Sequence, residues 1–148
     1  EELRAGRPLL EVVGPVLSRC TVLLPGLSEL QMLAASCAGA SRELTEASSV
    51  EQLLQRYENL KVIAVKRGAE GAAIYVRGQP GHFPVQPVPV EQVDPTGAGD
   101  CFDAAFISGM IAGLHWTDCG MLAARAGAAC AVAFGPMEGA IDRASLGW

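Results

Sequence analysis

Charge is scarce in this chain of 148 residues, at 18%, and aromatic residues are scarcer, at 5%. Acids outnumber bases 16 to 11, giving a formal net charge of −5, and no basic run occurs anywhere. Nucleic acid and anionic membrane are recognised through a basic field, so neither is expected as a partner. A phosphate-bearing ligand is still allowed, because backbone N–H groups gathered in a nest hold phosphate without net positive charge. No apolar run is long enough to span a bilayer, and Glu1-Glu2-Leu3-Arg4 does not read as a secretory signal. An initiating methionine is also missing, which leads us to expect a processed chain or part of a longer protein.

The cysteines, at 20, 37, 101, 119 and 130, are odd in number and contain no CxxC pair. Reduced, packed thiols in a cytoplasmic protein are the expectation. His82 and His115 stand alone, without ligand partners at metal-binding spacing.

Half of the residues are hydrophobic, and alanine, glycine and valine are plentiful, which suits helices packed closely on a sheet. Apolar residues at 9, 10, 12, 13, 16 and 17 predict a helix that Gly14 and Pro15 should bend or shorten. Thr21–Leu24 predicts a short buried strand. Ser28 and Ser49 are the expected openings of two further helices, the second with Leu53, Leu54 and Tyr57 inward. Leu60–Lys66 and Ala72–Val76 predict a β-hairpin, and the prolines between Phe83 and Val93 restrict that segment to an edge strand or extended loop. Two Ala- and Gly-rich helices, about 98–113 and 118–134, close the chain, with Met110, Met121 and Phe134 at core spacing. Strands interleaved with helices predict an α/β layered fold, with residues 1–148 as one partial domain.

The most informative segment is Asp94-Pro95-Thr96-Gly97-Ala98-Gly99-Asp100. It joins an extended stretch to a helix marked by Phe102, Phe106 and Gly109. A glycine-rich entry into a helix presents unpaired N–H groups and the positive end of the helix dipole, and glycine lets a phosphate approach the backbone. Such an anion hole suits phosphoryl transfer. Asp100, in the first turn, fits either a favourable helix-start charge or a chemical role. Neither a GxGxxG fingerprint, since Phe102 occupies its third glycine position, nor a GK[ST] sequence is present. Cys101 follows at the helix start, where a thiolate is favoured, although packing is the expected role.

The string 94–102 resembles the C-terminal signature of the ribokinase-like (PfkB) carbohydrate kinases. The resemblance extends over Leu23-Leu24-Pro25 with Glu29, over Val65–Ala72, and over Gly135-Pro136 and Gly139-Ala140. It implies a three-layer α/β/α fold, here the nucleotide-binding C-terminal half without its lid. It further implies ATP-dependent phosphorylation of a sugar or sugar-acid hydroxyl with Mg²⁺. By position, Asp100 matches the general base, and the amides of Gly97, Ala98 and Gly99 match the anion hole. Lys66, Gly68, Thr96, Gly97 and Gly99 match the nucleotide site. Glu29 matches an acid that organises Mg²⁺ through water, and Asp94 matches a monovalent-cation (K⁺) site.

Gly26 stands where the family commonly has Asn, and Leu24–Glu29 is similar to a variant among 2-keto-3-deoxygluconate-type kinases. The family's sugar-holding glycine pair, acid and lid are not found in residues 1–148. Two other readings follow from that. In one, the chain is a nucleotide-binding or structural segment without turnover, associating through an exposed sheet edge or as a homo-oligomer. In the other, the acceptor is a nucleoside or vitamin.

Overall fold

In the computed structural model, which describes residues 8–38, 44–135, 138–142 and 144–145, helices and short strands alternate along the chain. The order is α1 (Leu9–Leu17), β1 (Val22–Leu23), α2 (Leu27–Ala38), α3 (Glu46–Arg56), β2 (Val62–Lys66), a 3₁₀ turn (Gly68–Glu70), β3 (Ala72–Val76), β4 (Phe83–Val85), α4 (Ala98–Ile111) and α5 (Trp116–Ala131). The strands lie in the order β1-β2-β3-β4. β1 runs parallel to β2, with Val22 opposite Val62, and β3 runs antiparallel to β4, with Ala72 opposite Val85. This is the mixed α/β arrangement that the interleaved pattern predicts. Its backbone divides into two compact units, Glu1–Val65 with Tyr75–His82, and Lys66–Ile74 with Phe83–Trp148.

The first unit is built on a cluster of Leu17, Leu30, Ala34, Val50, Leu53, Tyr57, Leu60, Ile63 and Val65, supplied by α1 to α3 and β2. α1 continues through Gly14-Pro15 to Leu17. Two helix starts differ from expectation. α2 is opened by Gly26, whose carbonyl accepts from Leu30 N–H at 2.9 Å, rather than by Ser28. α3 is opened by Thr45, whose hydroxyl accepts from Ser48 N–H, while Ser49 is fully buried and donates back to the Thr45 carbonyl. In each case the true cap lies upstream of the expected serine. A hydroxyl caps only where the backbone turns into the helix, and neither Ser28 nor Ser49 occupies that turn.

Arg77 finishes α3. Its guanidinium donates at 2.6–2.7 Å to the carbonyl of Leu54, in the last turn of the helix, and to those of Tyr57 and Leu60 just beyond it; the Leu54 oxygen is one that the helix end leaves without a helical donor. Arg77→Ala is expected to cost about 1.5–3 kcal/mol, the scale of hydrogen bonds to a charged donor, readable as a lower urea midpoint.

The second unit contains the layer of α4 and α5 and the antiparallel pair β3–β4. Small residues set its spacing. A Cβ at Gly120 would lie 2.3 Å from Val85 Cγ2, and one at Gly127 would lie 3.1 Å from the Ala98 carbonyl oxygen. A methyl group at Gly120 would therefore force a shift, and one at Gly127 would need Ala98 to give by a few tenths of an ångström. Phe106, Cys119, Ala123 and Cys130 are fully buried. Phe134, expected in the core, lies beyond the end of α5 and is 80% exposed, because the helical periodicity that pointed it inward stops at Ala131. His115 caps α5, accepting from Thr117 N–H, and its ring packs edge-on against Phe83.

Candidate active site

The groups around the start of α4 belong to the second unit, whereas Glu29 belongs to the first. Thr96-Gly97 turns the chain into α4, and Gly97 occupies the cap position with φ 84°, a left-handed conformation that glycine adopts without strain. Cys101 N–H reaches the Gly97 carbonyl at 2.9 Å, so the helical ladder begins there. Amides before Cys101 have no acceptor within the helix. Of these, Ala98 N–H already donates to the Pro95 carbonyl at 3.1 Å. Among the described residues the amides of Gly97, Gly99 and Asp100 make no hydrogen bond. Within the expected Gly97-Ala98-Gly99 set, the Ala98 N–H is thus already engaged.

Asp94 braces the turn from behind. One carboxylate oxygen accepts from Thr96 N–H at 2.9 Å, and the other accepts from Gly135 N–H at 3.1 Å, beyond the end of α5. The amides of Val93 and Asp94 both donate to the Ala131 carbonyl, a second tie to the same place. Hydrogen bonds from the side chain and amide of Thr96, and then from Gly135, hold the Asp94 carboxyl below its ordinary value of 3.8. A depressed folded-state value means that the brace is fully present above about pH 4 and is lost as pH falls through the folded value. Asp94→Ala is accordingly expected to flatten the acid limb of the stability curve, checked by thermal melts between pH 6 and pH 2.5.

Asp100 is exposed, and no group hydrogen-bonds its carboxylate among the described residues. Glu29 holds the equivalent third position in α2 and behaves differently. Its Oε2 accepts from Gly26 N–H at 2.8 Å, completing a capping contact. Glu29 thus fills the capping role at the start of α2 that Asp100 leaves unfilled at the start of α4. Asp100, one methylene shorter, leaves its carboxylate available.

Lys66, at the end of β2, reaches the first turns of α4. Its Nζ lies 2.8 and 3.0 Å from the two carboxylate oxygens of Asp103, with both side chains mostly buried. A Cβ placed on Gly99 would lie 3.6 Å from the same ammonium, so Lys66 rests directly beside the Gly99 backbone. Gly68 follows with φ 59°, exposed and with nothing packed over it. Asp103 was not among the residues singled out from sequence. Its only local signal is its place one helical turn after Asp100, on the same face.

Cys101 does not behave as a helix-start thiolate. Burial above all, with a hydrogen bond to Cys130 and the charge of Asp100, pushes its thiol up to about 11, so it stays protonated and packs. Cys130 donates to the Thr96 carbonyl at 3.5 Å, and none of the five cysteines is in a disulfide. Among the described residues no three His, Cys, Asp or Glu side chains converge as a metal cage, and no helix is long and apolar enough to cross a membrane.

The sequence model of the pfkB family carbohydrate kinases matches residues 5–143. An uncharacterised sugar kinase of Archaeoglobus fulgidus is 31% identical over 84% of this chain and 45% of its own length. A ribokinase of Arabidopsis thaliana is 30% identical over 97% of this chain and 39% of its own. An E. coli protein assigned as ribokinase II, solved in complex with ATP and Mg²⁺, superposes with a TM-score of 0.79 at 31% identity, covering 93% of this chain and 41% of that one. The chain thus spans less than half the length of these relatives and shares the ribokinase-like fold. It belongs to the pfkB family of carbohydrate kinases.

Proposed function

We propose that the protein transfers the γ-phosphoryl group of ATP to a hydroxyl of a sugar or sugar acid, and that this chain supplies the base and the phosphate-docking turn. The observation that carries this reading is the pairing of an exposed Asp100 carboxylate with a helix start whose Gly97, Gly99 and Asp100 amides are unclaimed among the described residues. Asp100 accepts the proton of the acceptor hydroxyl while that oxygen attacks the γ-phosphorus and ADP departs. The amides and the helix dipole meet the charge that develops on the phosphoryl oxygens. Base and anion hole share one helical turn, which suits reacting atoms that must come within about 3–3.5 Å.

ATP is a co-substrate of this reading, and Lys66, Gly68, Thr96, Gly97 and Gly99 are the residues that would hold it. Mg²⁺ fits a site without a protein cage, because it is commonly held by substrate phosphates and one or two carboxylates. Such an ion neutralises phosphate charge when it arrives with the nucleotide. Glu29, in the first unit, is proposed to meet a magnesium ion through water with the lone pairs that the Gly26 contact leaves free. Asp94, likewise keeping lone pairs beyond those used by Thr96 and Gly135, is proposed for a monovalent cation.

The glycine requirement at 99 separates this function from stability. Alanine there meets Lys66 Nζ only at ordinary contact distance, and alanine favours a helix. Gly99→Ala is therefore expected to melt at or slightly above the unaltered temperature, yet to bind ATP at least tenfold more weakly by calorimetry. The activity itself is tested by ADP formation across a panel of sugars, sugar acids and nucleosides. Acceptor-dependent turnover supports the kinase reading, whereas nucleotide binding with no acceptor-dependent turnover supports a non-catalytic binding role.

A further inference from the structure

The Lys66–Asp103 pair is the best-defined ion pair beside the site, and it solves an electrostatic difficulty. Lys66 ends a strand, and its ammonium sits against the first turn of α4, beside the Gly99 backbone. That position is the positive end of the helix dipole, which repels a cation. A strand-end lysine with a long, flexible stem would otherwise extend into solvent. Asp103 holds it there, accepting from Nζ with both carboxylate oxygens at 2.8 and 3.0 Å. An ammonium has three N–H donors, and this grip uses no more than two of them.

The pair also places charge favourably. The side chains of Lys66 and Asp103 are 22% and 30% exposed, so the attraction is less screened than between surface groups. Asp103 lies one turn after Asp100 on the same face, and pairing with Lys66 keeps its negative charge from opposing an arriving phosphate.

We propose that Asp103 is a positioning residue, which acts by holding the Lys66 ammonium beside the first turn of α4 as part of the docking site for the nucleotide phosphates. This inference rests on the phosphate-docking reading above. An ammonium held in advance at the site has little conformational freedom to lose when the nucleotide binds. Removing Asp103 lets Lys66 leave the turn, and the loss falls on nucleotide affinity more than on the turnover of bound complex.

The test is a double-mutant cycle in the whole protein, read by ATP and ADP calorimetry and, where an acceptor is turned over, by the split between KM for ATP and kcat. Asp103→Asn should weaken nucleotide binding about tenfold with kcat within a few-fold, and Asp103→Glu should recover most of that loss. Lys66→Met should weaken it by a similar or larger factor, and the double variant should be no worse than Lys66→Met alone. Asp103→Asn binding as tightly as the unaltered protein, or losses from the two substitutions that multiply, would overturn the proposal. If the unaltered protein binds nucleotide and Gly99→Ala weakens it while Asp103→Asn does not, the docking site stands and the positioning role falls. If the unaltered protein binds no nucleotide, both fall.

Discussion

Asp100→Ala should lower the rate of acceptor-dependent ADP formation by a factor of about 10²–10⁴, the contribution expected of a positioned general base. ATP affinity should stay within a few-fold, because the docking amides belong to the backbone and survive the substitution. Folding should change little: the carboxylate is exposed and makes no hydrogen bond among the described residues, so only its dipole contribution of about 0.3–1 kcal/mol is lost. Steady-state rates, nucleotide calorimetry and a thermal melt on the same preparation check the three parts together. Near-normal turnover in Asp100→Ala would remove Asp100 from the chemistry. Lost nucleotide binding would instead assign it to docking.

The largest effect on stability is expected at a glycine outside the signature. Gly71 ends the 3₁₀ turn before β3 with φ 84° and ψ −136°, a conformation strained for any other residue. A Cβ there would lie 2.1 Å from the Val85 carbonyl oxygen and 2.9 Å from Pro87 N, both backbone atoms of the strand and loop beside it. Strain and collision act together, and Gly71→Ala is expected to cost about 3–5 kcal/mol, at the upper end of single-substitution effects. Gly68 provides the control. Its φ of 59° also favours glycine, but no atom lies near a Cβ placed on it. Gly68→Ala should cost only the left-handed penalty of about 1–2 kcal/mol. Urea unfolding of the two variants should separate them clearly, and equal midpoints would show that the β3–β4 spacing can relax around a methyl group.

These two predictions differ in how far sequence alone leads to them. The 94–100 turn was legible because its information is local. Glycine at a helix start, an acid in the first turn and apolar residues at helical spacing all sit within a dozen positions, and α4 begins at Ala98 as they imply. Strand β2 was legible for the same reason, a run of apolar, mostly β-branched residues that is buried from Val62 to Val65. The grip of Asp103 on Lys66 was not, since 37 residues separate the partners and neither carries a local mark of the other. The same holds for Arg77, whose carbonyl partners at and beyond the end of α3 lie 17–23 residues upstream. Helix caps failed differently. Ser28 and Ser49 have the right chemistry, but the backbone turns into α2 at Gly26 and into α3 at Thr45. Gly26 was not read as the start of α2 because its cap comes from Glu29 reaching back, not from a side chain of its own.

The account depends most on nucleotide phosphates docking at the first turn of α4. An amide-resolved NMR titration of the whole protein with ATP and Mg²⁺ addresses that point without knowledge of the acceptor. The predicted result is that the amides of Gly97, Gly99 and Asp100 shift together and saturate with one affinity, with Ala98, bonded to Pro95, shifting least among them. Saturable ATP binding that leaves these three amides unmoved would contradict the account.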